Sequence, residues 1–307
     1  MRRRRRTDWA KWALGIYFVL FLIFLYTPMM LMGVLSFQGV YGAITFPFRG
    51  PVGLRWWHAL FDSSLPSSHA AEIQSAGAQS LWVSFAAGAI VAVLAFTLSM
   101  AFRRKFPLQG LAFYVIMLAL MTPGYLLALG TQLFWKFMGI DTSLWKTALG
   151  TNVVWGIPFG FLVMLAVWNR YDYHIEEAAR DLGADQKRAF REVTLPLVWT
   201  GIFGGFLFGF TLMWNDYDRT VLLLSGSEAS TLPVQIAGLT LTTAIRPDLY
   251  ALGMATTLLS LFTIALVLGV VGVRLRLRAT PVHKVEEEFG LGGGLEVESE
   301  APPSSAS

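Results

Sequence analysis

The chain has 307 residues, of which 55% are hydrophobic and 14% charged, whereas a soluble domain carries about 25% charged residues. That balance excludes an ordinary water-soluble globule. The absence of cysteine also excludes a disulfide framework and any Cys-based metal site.

In chain order, a basic N-terminus (residues 1–11, with Arg2 to Arg6 and Lys11) precedes six nearly uncharged runs at 12–35, 80–102, 108–135, 147–168, 197–214 and 251–273. A helix needs about 20 apolar residues to cross a ~30 Å hydrocarbon core. Backbone groups must be satisfied within lipid, so long runs without strand alternation are predicted as helices. The expected fold is therefore all-α and polytopic, with six transmembrane helices over 12–278. The first run is too long for a signal peptide and lacks a small-residue cleavage site, so it is expected to stay as an anchor. Run 197–214 is short and is predicted to extend into Asn215-Asp216-Tyr217-Asp218 or the Leu-rich stretch beyond. Pro123-Gly124 in the third run and Pro158 in the fourth are expected kinks, which membrane helices tolerate.

With the N-terminus placed in the cytoplasm and the sides alternating, 18 of the 24 Lys and Arg residues fall inside. Arg49, Arg55, Lys136, Lys146, Arg219 and Arg246 remain outside. This bias predicts that both termini are cytoplasmic. Arg2–Arg6 then act as a topology signal or touch membrane lipid, and no nucleic-acid partner is expected. Residues 279–307 hold Glu286, Glu287, Glu288, Glu296, Glu298 and Glu300 among Gly, Pro and Ser. They are expected to form an acidic, disordered cytoplasmic tail, having little apolar surface to bury.

The loop 170–196, between the fourth and fifth runs, is polar, basic and helical in pattern. Ile175, Ala178, Ala179 and Leu182 recur at helical spacing. Gly183 suits a left-handed helix end, and Asp185 can cap a second short helix whose apolar face carries Phe190 and Val193. Pro196 suits the first turn of the next span. Two short helices about a sharp turn make a knob, with Glu177 offering its charge to an Arg across an interface. The plainer reading is an amphipathic loop in which Glu176 and Glu177 complement a helix dipole.

The order Glu177-Ala178-Ala179, three residues, Gly183, nine residues, Val193, one residue, Leu195-Pro196 resembles the cytoplasmic coupling loop of permease subunits in binding-protein-dependent ABC importers. Val193 stands where isoleucine is commoner. Gly53-Leu54-Arg55-Trp56-Trp57 followed by Ala59-Leu60-Phe61, Leu232-Pro233, Arg246-Pro247 and Ala251-Leu252 resemble the polyamine branch. So does the place of Asn215-Asp216-Tyr217-Asp218, although Trp214-Asn215 replaces the usual small residues; related branches carry iron, sulfate, thiamine or opines. The resemblance implies a type I ABC importer permease fold in a prokaryotic inner membrane and alternating access powered by ATP. It implies as partners a dimer of ABC ATPase subunits, a second permease of different sequence and an extracytoplasmic solute-binding protein. ATP and Mg are then used by the ATPase, and this chain binds no cofactor. Spermidine or putrescine is the implied solute.

Asp216 and Asp218, with Trp214, are candidate pathway residues at the outer end of the fifth run; alternatively the two carboxylates only mark where the helix leaves lipid. Gly201, Gly205 and Gly209 recur every four residues and permit close helix approach, either within this chain or to a second permease. No enzymatic constellation is visible. His58, His69, His174 and His283 lie in separate segments without metal-ligand spacing, and no Gly-Lys pair exists to build a Walker A loop. A stand-alone secondary transporter would call for ionisable residues within spans and repeated halves, and neither is visible.

Overall fold

The computed structural model describes residues 6–38, 52–62, 69–224, 229–242 and 247–278. The expected tail 279–307, and Arg2–Arg5, Arg49 and Arg246, lie outside these residues. The described residues are helical: α1 (Arg6–Leu35), α2 (Arg55–Ala59), α3 (Ala70–Ala101), α4 (Gln109–Met121), α5 (Gly124–Phe137), α6 (Leu149–Trp168), α7 (Tyr173–Asp181), α8 (Gln186–Ala189), α9 (Leu195–Trp214), α10 (Asp218–Leu223), α11 (Leu232–Thr242) and α12 (Pro247–Arg278). Wider π turns precede α6 (Leu144–Ala148) and α9 (Phe190–Thr194). The chain divides into two compact units, Met1–Ile264 and Ala265–Ser307. The second is described only as helix over 265–278.

Among the described residues, five helices are long and apolar enough to cross a membrane: Trp9–Leu35, Ala70–Ala101, Leu144–Trp168, Gln186–Trp214 and Pro247–Leu266. The third run supplies a sixth span only as a bent pair, because α4 and α5 meet at 100°. A kink was expected there, and a break is found. Thr122 is extended (ψ 123°), the conformation a following proline favours. Pro123 has no N–H to continue the ladder. Pro158, in contrast, sits inside an unbroken α6.

The fifth span also differs from expectation. It ends at Trp214, with Asn215 as its cap, and gains its length on the other side, through α8 and the π turn, as one 29-residue stretch. The polar residues Gln186 to Glu192 hid that extension. Beyond Trp214 the chain turns into α10 instead of prolonging the span. The 11-residue α11, too short to cross, was not foreseen.

The core lies between α3, α6 and α9. Val83 and Val91 on α3, Phe161 and Met164 on α6, and Val198 and Met213 on α9 are buried. Lipid tails are as apolar as leucine, so close packing, not hydrophobicity, holds such helices together. Glycine makes that packing possible. A Cβ on Gly160 would stand 3.5 Å from the Gly205 Cα. One on Gly209 would stand 2.9 Å from the Gly88 Cα and 2.7 Å from the Val91 Cβ. The row Gly201, Gly205 and Gly209 is thus consumed within this chain. By contrast α1 is almost uncovered, with 6% of its most apolar window buried.

Candidate functional site

The polar loop after α6 folds as two capped helices. Asp172 accepts the His174 N–H at 3.0 Å and starts α7. The helix is closed by Gly183 N–H to Arg180 C=O (2.8 Å) and Ala184 N–H to Ala179 C=O (3.1 Å), the pair of bonds of a Schellman end. That closure puts Gly183 at φ +93°, a conformation in which glycine has no Cβ penalty. Asp185 then caps α8, accepting the Arg188 N–H at 2.7 Å. The chain enters α9 through the π turn, with Pro196 in the first turn, so its missing N–H falls where the hydrogen-bond register has already shifted.

The two adjacent glutamates part company. Glu177 points outward, its side chain 70% exposed, with His174 Nδ1 at 3.2 Å as its neighbour. Ile175, Ala178 and Leu182 are exposed on the same helix, and Ala179 is half-buried. Val193, Leu195 and Pro196 are also half-buried, at the root of the knob. Glu176 points inward and holds the knob to the bundle. Its Oε2 accepts from Arg103 Nη2 (2.8 Å), Thr194 Oγ1 (3.2 Å) and Tyr171 Oη (3.3 Å), and its Oε1 from Arg180 Nη2 (2.8 Å). The Arg103 guanidinium lies over three rings, 4.7 Å from Trp168, 5.0 Å from Tyr173 and 5.4 Å from Tyr171. Trp168 in turn donates to Ser99 Oγ at 3.0 Å.

Burial alone would raise the Glu176 pKa. The Arg103 hydrogen bond and charge outweigh it, with help from Thr194 and Arg180, and the carboxyl ends below its ordinary value. Burial likewise pushes the Tyr171 hydroxyl up. One carboxylate thus joins the end of α3, the α6–α7 turn, α7 and the start of α9. Sequence reading singled out Glu177 and missed this role of Glu176, together with Arg103, Tyr171 and Thr194. The signal available was the adjacent Glu pair, one member of which must turn inward on a half-buried helix.

At the far end of α9 the two aspartates also diverge. Asp218 is exposed. Asp216 is 4% exposed and its Oδ1 is paired with Arg219 Nη2 at 2.6 Å. Its Oδ2 accepts from Thr220 Oγ1 (2.7 Å), Thr220 N–H (2.9 Å) and Asn152 Nδ2 (3.1 Å). Arg219 Nε donates to Asn152 Oδ1 at 3.0 Å, and its guanidinium lies 5.0 Å from the Trp155 ring centre. A Cβ at Gly124 would stand 2.7 Å from Arg219 Nη1, so the glycine that begins α5 is what admits this arginine. The cation expected near Asp216 is therefore met by a resident one. Trp214 is buried against Phe210. With Asn215 it borders a cleft of about 490 Å³ whose far wall carries Thr256, Thr257 and Ser260 of α12.

A family model described as binding-protein-dependent transport system inner membrane component matches residues 88–277, a stretch that holds both ends of this arrangement. The chain is 26% identical over 216 residues to the spermidine/putrescine transport system permease protein PotC of Haemophilus influenzae, covering 69% of this chain and 79% of that protein. It is 27% identical over 258 residues to the putrescine transport system permease protein PotI of Escherichia coli K12, covering 81% and 83% respectively. Among solved structures it is similar to a crystal structure of an amino acid ABC transporter with histidines. That match has a TM-score of 0.50 at 17% identity and covers 64% of this chain and 90% of the other.

Proposed function

We propose that this chain, which belongs to the binding-protein-dependent transport system inner membrane components, forms half of the solute pathway of an ATP-driven importer and docks an ATPase on its α7–α8 knob. The observation that carries the docking is the outward set of Glu177, Ala178 and Leu182 beside the Gly183 turn, on a helix fastened from behind through Glu176. A dimer of ATPase subunits uses ATP and Mg, a solute-binding protein delivers from outside, and a second permease of different sequence completes the pathway. Lipid and that second permease cover the apolar surface left open along α1. Both termini and the knob face the cytoplasm, in line with the Lys and Arg bias.

The solute is a polyamine such as spermidine or putrescine, the solutes for which two relatives are named. Trp214 and Asn215 meet it in the outer cleft, and Asp218 draws cations to the mouth. Asp216 serves the same mouth by fastening α10 through Arg219. One observation favours a second reading, a different small solute: Asp216, which follows the cleft-lining Asn215 in the chain, already has its cation.

Two variants test the docking. Glu177→Lys reverses an exposed charge and Gly183→Asp adds a side chain at φ +93°. Both are expected to reduce ATPase association at least tenfold while membrane insertion stays normal. Wild-type association in both would refute the docking role. Uptake of labelled spermidine and putrescine by the reconstituted complex tests the solute, and absence of both fluxes would refute a polyamine.

A further inference from the structure

The knob encloses a second feature that docking does not use. Between the end of α3, the inner face of α7 and the start of α8 lies a cavity of about 890 Å³. Four cationic side chains border it: Arg103, Arg104, Arg180 and Lys187. Two carboxylates also line it, Glu176 and Asp185, but both are engaged. Glu176 has four donors on its two oxygens, and Asp185 caps α8. Of the remaining lining, Met100, Phe190 and the Tyr173 ring make an apolar wall and Gln186 is an uncharged polar neighbour.

Charge and position together define what fits. Arg103 and Arg180 are held in place by Glu176. The side chains of Arg104 and Lys187 form no ion pair or hydrogen bond among the described residues, and both residues are exposed. The site therefore carries two uncompensated positive charges above a neutralised floor. Its place along the chain is where a span ends: α3 stops at Ala101, and the charges follow at once with Arg103 and Arg104. A basic cavity with one apolar wall at the edge of the hydrocarbon suits a phosphate that arrives attached to an acyl chain.

We infer that this cavity is an anion site for the phosphate of an anionic phospholipid, with Arg104 and Lys187 gripping the headgroup and Met100 and Phe190 receiving the first methylenes of the chain. The inference rests on this end of α3 being the cytoplasmic one only for the leaflet that supplies the lipid; binding itself does not depend on orientation. It joins the lipid composition of the membrane to the knob, because the same cavity is walled by α7.

The test uses the full chain purified in mild detergent and followed by native mass spectrometry with added phosphatidylglycerol or phosphatidylcholine. Phosphatidylglycerol is expected to be retained selectively. The double variant Arg104→Gln, Lys187→Gln, which leaves the Glu176 contacts intact, is expected to lower that retention by about thirtyfold, at the attraction a basic residue has for an anionic surface. Equal retention of the two lipids, or retention unchanged in the double variant, would overturn the inference. Competition by millimolar inorganic phosphate alone would assign the site to a free anion and overturn the lipid. Loss of the bound lipid on assembly with the ATPase subunits would overturn it in favour of an acidic protein side chain. None of these outcomes bears on the transport reading, which the association and uptake assays decide separately.

Discussion

Replacing Arg103 by alanine removes the strongest tie between the knob and the helix bundle. Its guanidinium makes a 2.8 Å charged hydrogen bond to Glu176, with side chains 15% and 13% exposed, and lies over three aromatic rings. Breaking a buried pair by removing one partner costs about 3–5 kcal/mol, chiefly because the remaining charge is stranded. Here Glu176 keeps Arg180, Thr194 and Tyr171, so the lower part of that range applies. Loss of ring stacking adds roughly 0.5–1 kcal/mol. The local cost is then about 3.5–4 kcal/mol, equivalent to a fall of roughly 500-fold in protection of the knob. Hydrogen exchange of residues 173–194 in detergent reads this directly. Arg103→Ala is expected to speed exchange there roughly 500-fold while the α3–α6–α9 core keeps its protection. Glu177→Gln, which alters only an exposed carboxylate, is expected to change it little. Unchanged exchange in Arg103→Ala, or an equal change in Glu177→Gln, would refute the assignment of Glu176 as the anchor.

Acid should release the same anchor. The Glu176 pKa is lowered in the folded state from 4.5, so its contribution is full above the unfolded value and is lost as pH falls through the lower folded one. Knob protection, corrected for intrinsic exchange, should hold from pH 7 to 5 and fall below 4.5, and Glu176→Gln should abolish that step. Gly209→Ala places a Cβ 2.7 Å from the Val91 Cβ and is expected to cost about 1–3 kcal/mol of bundle stability, read as an earlier thermal unfolding midpoint; Gly238→Ala, open on all sides, serves as the control. Arg219→Ala strands Asp216 in a buried setting and should destabilise the α5–α10 contact by about 3–5 kcal/mol, whereas Arg219→Ala with Asp216→Asn should recover much of it. Proteolysis of the α9–α11 connection, monitored in the single and double variants, checks that recovery.

The parts legible in the sequence are those made by neighbours in the chain. The Gly183 turn, the Asp185 cap and the place of Pro196 depend on residues within one or two turns, and local chemistry specifies them. The Gly201, Gly205 and Gly209 row spoke of close approach because its period matches a helix face. Its partners, Gly88 and Gly160, were not named by any local pattern. The Arg103–Glu176 contact joins residues 73 apart, and no periodicity relates them. Asn152 and Arg219 are 67 apart, and no local pattern relates them either. A proline in an apolar run announces an interruption. Whether that interruption bends the helix a little or turns it through 100° is decided by what packs on each side.

The unbroken stretch Gln186–Trp214 has a mechanical consequence. At 1.5 Å per residue its 29 residues form a rod about 43 Å long. One end is the second helix of the knob and the other is Trp214, at the cleft it borders with Asn215. Backbone contact with α3 and α6 stiffens its middle, so the rod tilts as a lever instead of flexing. A tilt of about 5° about that packed middle carries each end roughly 2 Å, in opposite directions. A nudge that tilts the rod at the knob is thereby delivered, without relay, to the cleft beside Trp214.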